Sequence, residues 1–333
     1  MPARAARDSN APVAPRLGER LRRLRVAAGL TQSDLAGDRF SKEYISQIER
    51  GKTRPTRETI DWLALRLGVD AGFLASGVSA DERARAETIL ARAEALSKEQ
   101  RVDDAVAEFR RALPAVLGTG AVELHVRVLR GEAMALAQRG EPRAALDLLT
   151  QARALVERDE FTDIDRAEIL FRLGVCRYLL SSISTAVSLF NEALALAERS
   201  GLPHDQLRLD VLGWRSRCHR RQRDYAAARE DVELALELAE AMQDARSLGE
   251  VYFQASVLAE RDGHWVLART YAEKAKAQYE ELADRKNVGR LLNNLGGLEF
   301  LLGKPVDAVE HLKRAVSVAL EVGQEQDAAK ATA

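Results

Sequence analysis

The first 76 residues carry apolar positions with a helical period, interrupted by polar turns. Leu17, Leu21, Leu24 and Ala28 fall on one face of a first helix, and Gly29 follows as a stop signal. Four more short helices follow by the same reasoning. Three of them begin after a small hydroxyl residue that can cap the helix N-terminus: Thr31, Ser41 and Thr56. The pattern predicts a compact domain of five helices.

The third of these helices has a thin apolar face, formed by Ile45 and Ile48. If these two side chains turn inward, five neighbouring positions turn outward. They are Lys42, Glu43, Ser46, Gln47 and Arg50. A helix held by so few apolar contacts, with a polar outer face, has the pattern of a helix that reads the major groove of DNA.

A different pattern, a repeat of long amphipathic helices, occupies the rest of the chain. Pairs of alanines seven residues apart recur every 40 to 42 residues. The first members are Ala105, Ala145, Ala186, Ala228, Ala268 and Ala308, and the second are Ala112, Ala152, Ala193, Ala235, Ala275 and Ala315. Small residues at fixed places let two antiparallel helices pack closely. The whole chain is therefore predicted to be all-α, with six helix pairs after the five-helix domain.

These patterns give the domain borders. The predicted segments are a disordered lead-in at 1–15, the five-helix domain at 16–76, a linker at 77–82, the repeats at 83–323 and a tail at 324–333.

Charge separates the two parts of the chain. Residues 1–76 hold 14 Lys and Arg against 9 Asp and Glu, a net charge of +5, and the remainder has a net charge of −6. A basic end on an acidic body predicts a polyanionic partner for the first domain alone.

The sequence contains few features that indicate redox, metal-binding, enzymatic or membrane functions. Cys176 and Cys218 are expected to be reduced core thiols rather than a redox pair. The five histidines have no metal-ligand spacing, and we expect no metal, no cofactor and no enzymatic activity. No apolar run is long enough to span a membrane, so we expect a cytoplasmic protein.

Specific motifs in the first domain resemble the XRE (Cro/repressor-like) helix-turn-helix family. They are LTQSDLA, YISQIERGKTRPT and TIDWLALRLGV, and the resemblance extends over about 60 residues. One departure is the turn at 37–40, which has four residues where the family has five.

On this reading, Gln47 and Lys42 would meet base edges, and Glu49 would make an internal ion pair. Phosphate contacts are expected from Gln32, Ser41, Lys52 and Arg54.

The alanine repeat resembles the tetratricopeptide repeat, with units longer than the usual ~34 residues. That resemblance implies a trough walled by the first helix of each pair. The wall is predicted to carry ligand-binding side chains, namely Arg127, Arg130, Phe171, Tyr178, Arg217, Arg220, Phe253 and Asn293, beside Met134 and Gly297. An extended peptide would use such cations for its carboxylate and an amide for its backbone.

The order of the two domains resembles that of peptide-responsive quorum-sensing regulators. It implies a transcriptional regulator that binds double-stranded DNA as a homodimer and senses a peptide or another effector, without a membrane partner. Two alternatives stay open at this point. The repeats would hold a partner protein in an adaptor that the first domain localises on DNA, or they would serve only as a dimerisation scaffold.

Overall fold

A computed structural model describes residues 17–77, 80–201, 203–324, 328–329 and 331. The chain divides into two compact units, with the border in the sequence between Gly140 and Glu141. The predicted lead-in and parts of the predicted linker and tail lie outside the described residues.

The first unit consists of eight described helices. They are α1 (Leu17–Ala27), α2 (Gln32–Ala36), α3 (Lys42–Glu49), α4 (Arg57–Leu67), α5 (Ala71–Ser76), α6 (Ala80–Lys98), α7 (Val102–Thr119) and α8 (Val122–Gln138). Helix α6 begins at Ala80, so the repeat helices start three residues before the predicted border at 83.

Nine described helices form the second unit. They are α9 (Pro142–Val156), α10 (Asp163–Leu179), α11 (Ile183–Arg199), α12 (Asp205–Gln222), α13 (Tyr225–Met242), α14 (Ala245–Arg261), α15 (Trp265–Glu281), α16 (Arg285–Leu301) and α17 (Pro305–Glu321). The described residues contain no strand, and the all-α prediction is confirmed.

The start signals of the short helices act as predicted. Thr31 forms a capping box with Asp34, and Ser41 and Thr56 each accept a hydrogen bond from the third backbone amide beyond them. Asp70 caps α5 in the same way, which the sequence analysis missed. The placement of Ala28 on the buried face of α1 was wrong, because α1 ends at Ala27 and Ala28 is exposed.

Small residues bring the repeat helices together. All twelve alanines of the repeat are at most 3% exposed. The preceding helices carry a matching set of small residues at the same period: Ala93, Ala133, Gly174, Ser216, Ser256 and Gly296. Ser216 and Ser256 were not predicted from the sequence to occupy these close contacts. Ser216 donates its hydroxyl to the Ala228 carbonyl, so a polar group occupies this close contact without losing its hydrogen bond.

Both cysteines are buried, as predicted. Burial raises the pKa of each thiol to about 11, which disfavours the reactive thiolate at neutral pH. Across the described residues, no helix is long and apolar enough to cross a membrane.

Two adjacent glycines of α16 allow the packing to be tested. A β-carbon at Gly296 would stand 2.7 Å from Leu312 Cγ, whereas one at Gly297 would meet no atom within 4 Å. We expect Gly296→Ala to lower the free energy of unfolding by about 1–3 kcal/mol through overpacking. Gly297→Ala should raise it by about 0.5–1 kcal/mol, because alanine favours the helix. Urea unfolding followed by circular dichroism gives both values, and stabilisation by both substitutions would contradict the close contact.

Candidate nucleic-acid interface and repeat-domain cavities

Helix α3 is held in the first unit by its two isoleucines and by a backbone contact with α1. Ile45 and Ile48 are fully buried with Leu21, Leu35 and Leu63 in one core. A β-carbon at Gly18 of α1 would lie 2.5 Å from the Glu49 carbonyl oxygen, so only glycine fits under the end of α3. The helix therefore has a fixed position, although its apolar face is narrow.

Glu49 is the second anchor of α3, and its predicted internal ion pair is present. Arg25 Nε lies 2.6 Å from Glu49 Oε1, and Arg25 Nη2 donates to Oε2 at 3.2 Å. Gln32 Nε2 also donates to Oε2, at 2.8 Å. Burial alone would raise the pKa of Glu49, but the bonds from Arg25 and Gln32 outweigh it and lower the pKa.

Most predicted DNA-contacting side chains lie on the open side of α3 and just after it. The exposed ones are Ser41, Lys42, Glu43, Gln47, Arg50, Lys52 and Arg54, while Ser46 is half-buried. Thr53 donates its hydroxyl to Gln47 Oε1 at 3.0 Å, which orients the amide at the centre of this surface. Gln32 is half-buried and its amide nitrogen donates to Glu49. This bond occupies part of the donor capacity that the predicted phosphate contact would use.

The four-residue turn before α3 depends on Gly37 and Arg66. Gly37 has φ 52° and ψ −145°, a conformation that side chains disfavour. Arg66 covers the glycine, donates Nη2 to the Asp34 carbonyl at 2.8 Å, and stacks over Trp62 at 5.1 Å. The edge-on ring pair of Trp62 and Phe40, 5.1 Å apart, then fixes the end of the turn.

Ion pairs occupy several of the predicted wall cations. In the first unit, Arg127 makes a two-pronged pair with Glu94, at 2.9 and 3.0 Å. Arg130 is half-buried in the same helix. In the second unit, Arg217 pairs with Glu250 and stacks over Trp214 at 4.7 Å. Arg217 and Arg127 thus already have carboxylate partners within the chain.

The prediction that Phe171 lines the wall was wrong. Its side chain is 2% exposed and packs against Phe190, with ring centroids 6.1 Å apart. Gly174, one turn further along α10, leaves the room that the Phe190 ring fills. Tyr178 is half-buried and meets the Trp214 ring edge-on at 5.3 Å, and Arg220 is half-buried nearby in α12.

A cavity of about 600 Å³ lies between α12, α14 and α16. Its lining includes Trp214 and Arg217 together with Asp210, Glu250 and Gln254, three residues that the sequence analysis did not select. A signal was available, because Asp210, Glu250 and Arg290 follow one another at the repeat period of 40 residues.

A second cavity, of about 200 Å³, lies between α14, α16 and α17. It brings the predicted residues Phe253 and Asn293 together with Lys286 and Arg290, above a floor that includes Val318. Arg290 stacks over Phe253 at 5.2 Å and bonds the neutral Asn287. Neither Lys286 nor Arg290 pairs with a carboxylate among the described residues.

These geometries define a helix-turn-helix domain joined to helical repeats, and sequence comparisons agree. Residues 16–76 match the helix-turn-helix domain family, and residues 130–203 and 246–321 match tetratricopeptide repeats. The HTH-type transcriptional regulator DdrOP3 of Deinococcus deserti is 44% identical over 64 residues, which are 19% of this chain and 50% of that protein. The regulator y4dJ of Sinorhizobium fredii is 44% identical over 54 residues, 16% of this chain and 70% of the relative.

The chain therefore belongs to the HTH-type transcriptional regulators. Its match spans about half the length of DdrOP3.

Solved structures share the fold of most of the chain. Bacillus thuringiensis PlcR, in complex with the peptide PapR7 and DNA, superposes with a TM-score of 0.56 at 15% identity, over 84% of this chain and 99% of PlcR. BtubC from P. vanneervenii gives 0.56 at 17% identity, over 72% and 92% of the two chains.

Glu49→Gln tests the anchor of α3. The folded-state pKa of Glu49 lies below its ordinary value of 4.5, so its contribution to stability is complete above that value and is lost as the pH falls through the folded-state pKa. We expect the variant to lose about 1–3 kcal/mol of local stability at neutral pH, the range for hydrogen bonds to charged groups. The difference from the unmodified protein should shrink as the pH falls through the folded-state pKa of Glu49, because the carboxyl group then becomes neutral like the glutamine amide.

Amide hydrogen exchange of residues 41–52, corrected for intrinsic rates, measures this loss. Glu43→Gln is the matched control, since Glu43 is exposed on the same helix. Equal protection in both variants at neutral pH would contradict the anchoring role.

Proposed function

We propose that the protein is a sequence-specific DNA-binding transcriptional regulator, which acts as a homodimer and whose repeat domain senses a short peptide. The observation that carries the proposal is the polar face of α3, exposed on a helix that Gly18 and Glu49 fix to the domain. A recognition surface needs such rigid support, because base edges are read by side chains in defined positions.

Unpaired cations support a DNA partner. Within the described residues, no carboxylate pairs with Lys42, Arg50, Lys52 or Arg54, although all four are exposed. They surround Gln47, whose amide can bond an adenine edge, so phosphate contacts and base reading fall on one surface.

Support for the combination of DNA and peptide comes from the PlcR complex, whose structure contains both. At 15% identity this likeness concerns the fold, and the extension to binding is ours.

A homodimer follows from the weakness of single helix-turn-helix units, since two heads on a two-part site gain affinity and specificity. The second unit offers exposed apolar side chains for association: Trp265, Val266, Phe300 and Val306. Arg269 of α15 lies 2.7 Å from Glu299, next to Phe300, so the helix ends that carry these side chains are neighbours.

Two free cations of the second unit that face a cavity indicate where a peptide carboxylate would bind. Arg217 is neutralised by Glu250, whereas Lys286 and Arg290 face a small cavity with an apolar floor. We therefore assign the carboxylate end of the peptide to Lys286 and Arg290 rather than to Arg217.

DNA binding is the first experiment. Duplexes selected from a random library by the full chain are titrated by fluorescence anisotropy at several salt concentrations. Gln47→Ala should lose about 1–3 kcal/mol of discrimination at one base pair. Lys52→Ala should weaken binding to every duplex and reduce the salt slope by about one ion.

Lys313→Ala, at an exposed lysine of α17, is the control and should change neither quantity. If the full chain binds selected and shuffled duplexes equally, with only a salt-sensitive background, the regulator proposal fails and the adaptor alternative is favoured.

Dimerisation has its own test. Val306→Glu places a charge on a side chain that is 80% exposed at the start of α17. If this surface joins two copies, the desolvated charge should shift the dimer towards monomer at least tenfold in dissociation constant. Leu65→Glu in α4, also 80% exposed, is the matched control. Light scattering reads the mass, and an unchanged dimer would exclude this surface.

A further inference from the structure

The cavity between α12, α14 and α16 contains the carboxylate of Asp210, for which the described part of the chain supplies no ion pair. In the described residues, the hydrogen bond that Asp210 accepts comes from the neutral Gln206, at 3.1 Å. Burial raises the pKa of the Asp210 carboxyl, and the hydrogen bond from Gln206 and the charge of Arg172 offset this rise only in part. A partner cation would compensate the lost hydration.

The other charges around this cavity are already matched. Arg217 pairs with Glu250, which also accepts hydrogen bonds from Gln254 at 3.4 Å and Tyr279 at 3.3 Å. Arg246 lies 3.7 Å from Asp284. Asp244 caps α14 through Ser247. Among the described residues that line the cavity, an incoming carboxylate would find no unpaired cation, and it would be repelled by Asp210.

Hydrogen-bonding capacity is left over as well. Gln254 is 5% exposed, lines the cavity, and has a side-chain oxygen without a hydrogen-bond partner. The side-chain oxygen of Gln254 and the carboxylate of Asp210 are both acceptors, so each can take a further hydrogen bond from a donor on a ligand. Both groups thus call for a ligand that donates hydrogen bonds and carries positive charge.

We propose that this cavity binds the protonated amino end of a short peptide, with the ammonium group on Asp210 and donated hydrogen bonds on Gln254. The inference rests on the proposed peptide-sensing function and gives the peptide a direction. Its amino end lies against α12 and α14, and its carboxylate lies at Lys286 and Arg290. The volume of about 600 Å³ is in the range of sites that enclose small ligands.

The test uses the full chain and an equimolar pool of synthetic pentapeptides in three forms: free, N-acetylated and C-amidated. Native mass spectrometry identifies bound peptides, and calorimetry measures the best of them. We expect N-acetylation to weaken binding by about tenfold or more, the effect of losing one charged hydrogen bond. In Asp210→Asn this preference for the free amine should vanish, while the penalty for C-amidation remains.

Glu310→Gln, at an exposed carboxylate of α17, is the charge-matched control and should retain the preference. Thermal unfolding without peptide checks that Asp210→Asn folds, and the acetylation comparison on the unmodified chain stands without any variant. If free and N-acetylated peptides bind equally, the cation site is wrong and peptide sensing stands. If no peptide in any form binds while DNA binding is intact, both the sensing function and this inference fail.

Discussion

Ion pairing between neighbouring helices decides which cations of this chain can meet a ligand. Arg25, Arg127 and Arg217 each have a carboxylate partner on another helix, at Glu49, Glu94 and Glu250. Each pair stiffens a helix contact and removes a charge from the surface. Among the cations that form no ion pair in the described residues, one group lies around α3 in the first unit and another lines the small cavity of α16 in the second. The positions of those carboxylates therefore decide whether these three arginines can meet a ligand.

This constraint explains what could be predicted from the sequence. Helix caps, the inward isoleucines of α3 and the repeated alanines depend on contacts that are local or strictly periodic. Glu49 could also be assigned an internal pair, because an acid next to DNA is unfavourable. The pairs of Arg127 and Arg217 join residues 33 apart. Their formation depends on the angle between successive helix pairs, which no local pattern specifies.

Phe171 illustrates the same limit in packing. Its position in the repeat places it on the wall, and the equivalent Phe253 does line a cavity. Gly174 lets the Phe190 ring approach α10, so Phe171 is covered and joins the core. A helical register gives the direction of a side chain, whereas the size of its neighbours decides whether that side chain reaches solvent.

The turn before α3 departs from its family by one residue, yet α3 stays anchored at its other end. Gly18 lets the α1 backbone touch the last turn of α3, and Glu49 binds both Arg25 and Gln32 there. Before the N-terminus of α3, Gly37 adopts a positive φ and Arg66 bonds the Asp34 carbonyl, and these two features accommodate the shorter turn. The effect of the shorter turn is thus limited to the segment between the contacts of Arg66 and those of Glu49. The buried isoleucines set the orientation of the polar face of α3. The backbone contact at Gly18 and the buried ion pair of Glu49 hold the far end of the helix in place, so this orientation is kept.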